Sequence, residues 1–276
     1  SSMTSIRNAA LFGTATGFAC PFFGATLLTK YIGNFARLAN REKVKADFGK
    51  LNRKARVVFS TTGGPLRTIV TGTKCRPTGI FNSIKTGHAQ PYELQAERLF
   101  MQQCEADHEV VKWLAQPHRL KIFVEGKKLI YFPDFSVLHA DGREEVVEIK
   151  RDKTREIFGE LAVKLERAER IYQTTNIGFR ILDLSDLRME PRCSNAEEIQ
   201  RHSRTHFVQS DVFSLMDQIC RDPSGTISFA RSVEILGAGV LGHKKLCAMI
   251  VRRHFGLDIN AGLTADTPVF PISNIQ

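Results

Sequence analysis

From residue 91 onward the hydrophobic positions follow two rhythms. Residues 92–104 put Leu94, Leu99 and Phe100 at helical spacing behind Pro91, whose fixed φ suits the first turn of a helix. After a short apolar patch of Val110, Val111 and Trp113, runs at 120–124, 129–132, 135–138 and 146–149 read as strands. Gly126 with Lys127, and Asp141 with Gly142, supply the hairpin turns between them. Ile157, Leu161, Leu165, Ala168 and Ile171 mark an amphipathic helix over 155–172, and 177–184 reads as a buried strand. Helix, three or four strands, helix and strand is an α/β order with a mixed sheet. Beyond Pro191 the pattern predicts short helices at 208–220, 229–236 and 243–254 and a hairpin within 255–271, the outline of a small winged-helix-like unit. Residues 1–85 show little sustained periodicity. The chain therefore divides into a basic, weakly structured extension (1–78), an α/β domain (79–190) and a helical C-terminal domain (191–276).

Composition narrows the class. With 276 residues, 42% hydrophobic and 25% charged, the chain is ordinary globular protein, which excludes wholesale disorder, collagen and coiled coil. Its net charge of +10 points to a polyanionic partner. That excess is not evenly spread: residues 1–90 hold 14 Lys/Arg against 2 Asp/Glu, residues 91–188 hold 16 against 18, and residues 189–276 hold 9 against 9. A basic arm beside an acid-containing domain suits a DNA-processing enzyme, since the arm can hold phosphates while carboxylates hold metal. The uncharged C-terminal balance favours protein contact at least as much as duplex binding. Cys20, Cys75, Cys104, Cys193, Cys220 and Cys247 are scattered without a close pair, which predicts reduced thiols and a cytoplasmic location. Residues 8–29 are uncharged behind Arg7, but Gly13, Gly17, Pro21 and Gly24 interrupt the run and no A-x-A site follows, so an extension is expected there and no membrane anchor.

The stretch that carries chemistry is Tyr131-Phe132-Pro133-Asp134-Phe135, followed fourteen residues after Asp134 by Glu148-Ile149-Lys150. Side chains alternate along a strand, so Glu148 and Lys150 point the same way, and Asp134 opens the neighbouring strand beyond the Asp141 turn. Pro133 cannot donate to a ladder and belongs at a strand start or edge. Two carboxylates and a lysine on one sheet face are costly to bury unpaired. A hard cation resolves that cost: Asp134, Glu148 and the Ile149 backbone carbonyl offer oxygen ligands for Mg²⁺, with Mn²⁺ as a substitute. Lys150 would orient or deprotonate a water or offset charge on a phosphate. Glu97 on the preceding helix completes the set, with Glu93 one turn earlier as the competitor for its role.

These residues together resemble the PD-(D/E)xK nuclease superfamily, and more closely the TnsA-type endonuclease subunit of heteromeric transposases. The resemblance runs over about 79–187: Gly79-Ile80-Phe81-Asn82-Ser83-Ile84-Lys85, Glu97-Arg98-Leu99-Phe100, Glu105-Ala106-Asp107 with Val110, Gln116-Pro117, the Pro133-Asp134 pair and Glu148-Ile149-Lys150. It implies a restriction-endonuclease-like mixed sheet flanked by helices, metal-binding Asp134 and Glu148, a helix carboxylate at Glu97 and a catalytic Lys150. It also implies Mg²⁺-dependent cleavage of double-stranded DNA at transposon 5′ ends, beside a transposase subunit that handles the 3′ ends. The C-terminal domain would contact an ATPase regulator. Two readings from other classes stay open: a DNA-binding or assembly subunit with a non-catalytic site, and a stand-alone repair or restriction nuclease.

Other motifs point elsewhere. Gly237-Ala238-Gly239-Val240-Leu241-Gly242 matches G-x-G-x-x-G, with Asp258 at a ribose-binding distance, yet too little chain follows for another βαβ unit, so a glycine-rich helix junction is expected. His202 and His206 stand four apart without a Glu between them or an evident third ligand, and read as solvated histidines. Trp113 reads as core. Lys244, Lys245, Arg252 and Arg253 read as a solvated helix face or as phosphate contacts.

Overall fold

A strand covered on both faces buries successive residues and not every second one, and the computed structural model has two such strands, Phe135–His139 and Glu144–Ile149, at the centre of its mixed sheet. It describes residues 44–48, 51–59, 78–124 and 127–272, and of 44–48, 51–59, Val124 and Lys127 the backbone alone. In chain order come β1 (Val44–Phe48), β2 (Leu51–Phe59), β3 (Gly79–Asn82), β4 (Ala89–Tyr92), α1 (Gln95–Ala106), β5 (Val110–Ala115), β6 (His118–Val124) and β7 (Lys127–Tyr131). Then follow β8 (Phe135–His139), β9 (Glu144–Ile149), α2 (Lys153–Glu156), α3 (Gly159–Gln173), β10 (Gly178–Leu182) and α4 (Leu184–Leu187). The C-terminal part has α5 (Arg192–Arg201), α6 (Gln209–Arg221), β11 (Ile227–Ser228), α7 (Phe229–Ile235), α8 (Gly239–Val251), β12 (Phe255–Gly256) and β13 (Pro268–Pro271). Among the described residues no helix is long and apolar enough to cross a membrane. The segment 8–29 lies outside them.

The central sheet is mixed, in the order β10-β9-β8-β5. β8 pairs antiparallel with both β5 and β9, while β9 and β10 are parallel and joined through α2 and α3, as a parallel pair requires. Phe135, Val137, Val147 and Ile149 on one face pack with Phe100, Met101 and Cys104 of α1 and with Trp113, which is fully buried between Phe81 and Phe135 at 5.9 and 6.1 Å between ring centres. α3 buries Leu165, Ala168, Ile171 and Tyr172 and packs against β10 and the β6–β7 hairpin. This is the mixed α/β sheet flanked by helices that a restriction-endonuclease-like fold requires.

Several expectations need correction. The patch at Val110, Val111 and Trp113 is the edge strand β5. The predicted strands do not form one sheet: β6 and β7 join β2 and β1 in a second sheet, ordered β1-β2-β6-β7. Pro133, between β7 and β8, has no N–H for a ladder and lies where the chain passes from one sheet to the other. The helix expected over 155–172 is two helices, broken where Gly159 takes a left-handed φ of 56°. β1 and β2 fall inside the extension expected to be weakly structured, and β2 pairs with β6. The dense cations of 37–56 masked the strand-forming run Val57-Val58-Phe59. The rest of that extension, 1–43 and 60–77, lies outside the described residues.

A polar lock ties the segment after β3 to the far end of α1. The Lys85 ammonium donates to the backbone carbonyls of Cys104 (2.8 Å), Asp107 (2.5 Å) and Val110 (2.8 Å). The Ser83 hydroxyl donates to buried Glu105, and the Lys85 N–H reaches both Glu105 oxygens at 3.3 and 3.4 Å. Burial pushes the Lys85 ammonium down to about 8 and the Glu105 carboxyl up, each partly offset by the other's charge. The end of α1 is also held from the C-terminal side: Arg192 donates to Asp107 Oδ2 at 2.7 Å and to Gln103 Oε1 at 3.2 Å.

The C-terminal part has its own core of Ile199, Leu215, Ile219, Leu246, Ile250 and Phe255, which Ala106 of α1 joins. Its three strands are ordered β11-β13-β12, all pairs antiparallel. The glycine motif follows helix α7, not a strand, and opens α8 through left-handed Gly237, Ala238 and Gly239 (φ 117°, 56° and 51°). Gly242 is required for a different reason, because a Cβ there would lie 2.0 Å from the Val233 carbonyl oxygen of α7. Gly242→Ala is therefore expected to destabilise the chain by about 3 kcal/mol, read as a lowered urea midpoint. A loss under about 0.5 kcal/mol would mean that the two helices part freely.

Candidate active site

The site begins where the chain enters β8. Phe135 faces Val147 in the β8–β9 register, so Asp134 comes level with Glu148, and directly opposed residues of an antiparallel pair share a face. Asp134 Oδ2 accepts the Ile149 N–H at 2.7 Å, and the Asp134 carbonyl accepts the Gln116 N–H at 2.7 Å. Gln116 holds a left-handed φ of 47°, so the Gln116-Pro117 pair is the corner that clamps the Asp134 backbone. Gln116 Oε1 is buried without a hydrogen-bond partner among the described residues.

Glu148 is divided between two partners. Its Oε1 forms an ion pair with the Lys150 ammonium, and its Oε2 accepts the Tyr131 hydroxyl at 2.7 Å. The Ile149 carbonyl oxygen lies 3.5 Å from Lys150 Nζ and so borders the same cluster. Lys150 points toward the carboxylates and not into the hydrophobic interior, with 14% of its side chain exposed. Tyr131 stands in the stretch the sequence singles out, but the sequence assigns it no role; the structure makes it a hydrogen-bond donor to Glu148.

Glu97 enters from α1. It occupies the first turn, where a negative side chain complements the helix dipole, and its Oε2 accepts the Glu93 N–H at 2.7 Å. The helix starts at Gln95, so Glu93 lies ahead of it and not one turn earlier along it. Both Glu97 and Glu148 are nearly inaccessible, at 8% and 5% exposure.

Electrostatics bind these groups into one unit. Burial pushes Glu97 up to about 7, against the Glu93 N–H and with a contribution from the Glu148 charge. Burial, then Glu148, then Glu97 push the Asp134 carboxyl well above the usual carboxylate range. Burial opposes the charge on Lys150, but Glu148 and Asp134 outweigh it and its pKa is raised. Glu97, Asp134 and Glu148 thus oppose one another's ionisation in a desolvated place, and Lys150 offsets part of that repulsion. That donor set, all hard oxygen with the Ile149 carbonyl alongside, fits a hard divalent cation.

The other charges nearby have structural duties. Glu145 accepts from Arg180 at 3.0 Å, Asp152 caps α2, and Lys153 pairs with Asp186 at 2.7 Å. They leave Asp134, Glu148 and Lys150 as the group that converges on the sheet end.

Comparison with known families matches residues 107–183 to the TnsA-like endonuclease N-terminal domain. The matched segment runs from the end of α1 through β10; it includes Asp134, Glu148 and Lys150 and stops short of Glu97. No curated protein matches the chain.

Proposed function

From the premise of a TnsA-like endonuclease segment at residues 107–183, we propose that this chain is a Mg²⁺-dependent DNA endonuclease that hydrolyses phosphodiester bonds. The observation that carries the reading is Asp134 level with Glu148 on one sheet face, Lys150 paired with Glu148, and Glu97 coupled to both carboxylates by charge. Asp134 and Glu148, with the Ile149 carbonyl, would hold the cation, and Glu97 would approach from the helix side. A bound cation would supply Lewis acidity toward the scissile phosphate. Lys150 keeps its proton at neutral pH, because Glu148 and Asp134 stabilise the ammonium. Its role is therefore to offset the negative charge that grows on the phosphate in the transition state, not to abstract a proton. The Tyr131 hydroxyl holds one Glu148 oxygen and fixes the carboxylate's rotamer. Within a heteromeric transposase the enzyme would cut at transposon 5′ ends, next to a transposase subunit and an ATPase regulator. The C-terminal order α6-β11-α7-α8-β12-β13 supports the winged-helix-like reading of that unit.

Incubation with supercoiled plasmid and with a transposon-end duplex, in Mg²⁺, Mn²⁺ or EDTA, tests the reading. Cleavage is expected with either cation, none in EDTA, and the duplex product maps to a 5′ end when a transposase is supplied. Absence of cleavage under every condition, partners included, would favour an assembly subunit. Robust cutting of arbitrary DNA by the chain alone would favour a stand-alone nuclease.

The basic extension is assigned to phosphate binding. Cutting the chain near Thr71 would remove β2 from its partner β6, so the cleaner variant replaces Arg37, Arg41, Lys43 and Lys50 with Gln. Fewer released counterions are expected to flatten the plot of log affinity against log salt by about 2 to 4 units. An unchanged slope would show that these cations do not meet DNA.

A further inference from the structure

Sequence spacing singled out His202 and His206, but the structure gives His202 other company. His202 caps α5, Glu198 lies one turn earlier on that helix, and His243 lies in α8. Glu198 Oε1 stands 3.0 Å from His243 Nε2 and 3.4 Å from His202 Nε2. One donor atom from each of the three lies within 4.8 Å of the others. The two imidazoles are perpendicular, with ring centres 5.6 Å apart, and both Nε2 atoms face the same oxygen, Glu198 Oε1.

The two oxygen–nitrogen spacings are close to what a tetrahedral ion needs. With metal–nitrogen and metal–oxygen bonds of about 2.0–2.1 Å, donors around a tetrahedron stand about 3.3 Å apart. The surroundings orient the donors as well. Arg201 holds the other Glu198 oxygen at 2.9 Å, and His243 packs edge-on against Phe229 at 5.4 Å. Solvent reaches all three side chains, which are 18% (His202), 28% (His243) and 31% (Glu198) exposed, and so can fill a fourth position.

We propose that Glu198, His202 and His243 form a binding site for a divalent transition metal of the zinc class, separate from the Asp134 cluster. Its two nitrogen donors select against Mg²⁺, whereas the all-oxygen set at Asp134 favours it. The ion would clasp α5 to α8 across a sequence gap that neither helix bridges by itself.

The test uses the full chain, stripped with EDTA and titrated with Zn²⁺ alone, followed by calorimetry and thermal melting. Co²⁺ absorption reports the geometry. One Zn²⁺ per chain is expected at this site, with Tm raised by about 5–10 °C at a hundredfold excess over Kd and an intense tetrahedral Co²⁺ spectrum without a thiolate band. His202→Ala and His243→Asn should lose the Tm rise and the spectrum, while His206→Ala and Asp134→Asn keep both. Should His243→Asn fail to fold, His202→Ala, at the accessible end of α5, decides the matter. The proposal is overturned if wild type shows no Tm rise, if the signal survives His202→Ala, if it disappears with Asp134→Asn, or if a thiolate band assigns the ion to a cysteine.

Discussion

Asp134→Asn is expected to lower Mg²⁺-dependent cleavage by about 10³-fold or more and, in the same preparation, to make the metal-free protein more stable at pH 7.5. The two effects share a cause. Burial and the neighbouring Glu148 and Glu97 charges raise the Asp134 pKa, and burial lifts Glu97 to about 7. A carboxyl whose folded pKa exceeds its unfolded value binds more protons when folded than when unfolded between those two values. Stability therefore falls as pH rises through that window and stays low above it. For Glu97 the window runs from 4.5 to about 7, a loss of roughly 3 kcal/mol at the upper end. Asparagine at position 134 removes a carboxyl whose ionisation burial disfavours, and with it the repulsion between positions 134 and 97. Melting in EDTA at pH 5 and pH 7.5 is the measurement: wild type should lose stability between the two, and Asp134→Asn should lose less. Mg²⁺ should restore the wild type at pH 7.5 and leave the variant unmoved. If the variant instead melts lower than wild type at pH 7.5, Asp134 is a structural carboxylate and its assignment to metal fails.

Lys85→Met is expected to cost about 3–5 kcal/mol, the largest stability loss of any single change considered, although the methionine nearly matches the lysine stem in length. The ammonium satisfies three carbonyls around the end of α1 and partly offsets the charge of buried Glu105. A thioether can do neither. Removing a buried charge that offsets another leaves the second less compensated, a costly state in a desolvated place. The Cys104 and Asp107 carbonyls also lie at the negative end of the helix dipole, where a cation is favoured. Urea unfolding at pH 7 measures the loss, and the double variant Lys85→Met with Glu105→Gln should recover part of it. A loss below about 1 kcal/mol would show that water takes over the carbonyls without penalty.

How far the chain could be read beforehand depended on sequence separation. Asp134, Glu148 and Lys150 were legible because strand alternation and a local turn at Asp141 and Gly142 determine which side chains share a face. The choice between Glu93 and Glu97 was not, since it depends on the helix starting at Gln95, and apolar spacing leaves such boundaries loose. Hairpin patterns identify local pairs but not which strand will flank them. The pairing of Val57 with Leu120, more than sixty residues apart, left no trace in the pattern, and β6 and β7 were assigned to the wrong sheet. The role of Tyr131 is hidden for the same reason: its partner Glu148 comes from a strand of the other sheet. His243 escaped as well, because a ligand search along one helix cannot find a donor forty-five residues away.

The helix α1 belongs to two interiors at once. Phe100, Met101 and Cys104 fill the nuclease core, while Ala106, two residues past Cys104, is counted among the C-terminal apolar side chains, and Arg192 grips Asp107 just beyond. Glu97 rides the opposite tip, about 14 Å away along the axis. A helix is stiff over that length, so a push on the tail is delivered as a tilt at the carboxylate. Whatever grips the tail of α1 therefore also holds a handle on Glu97.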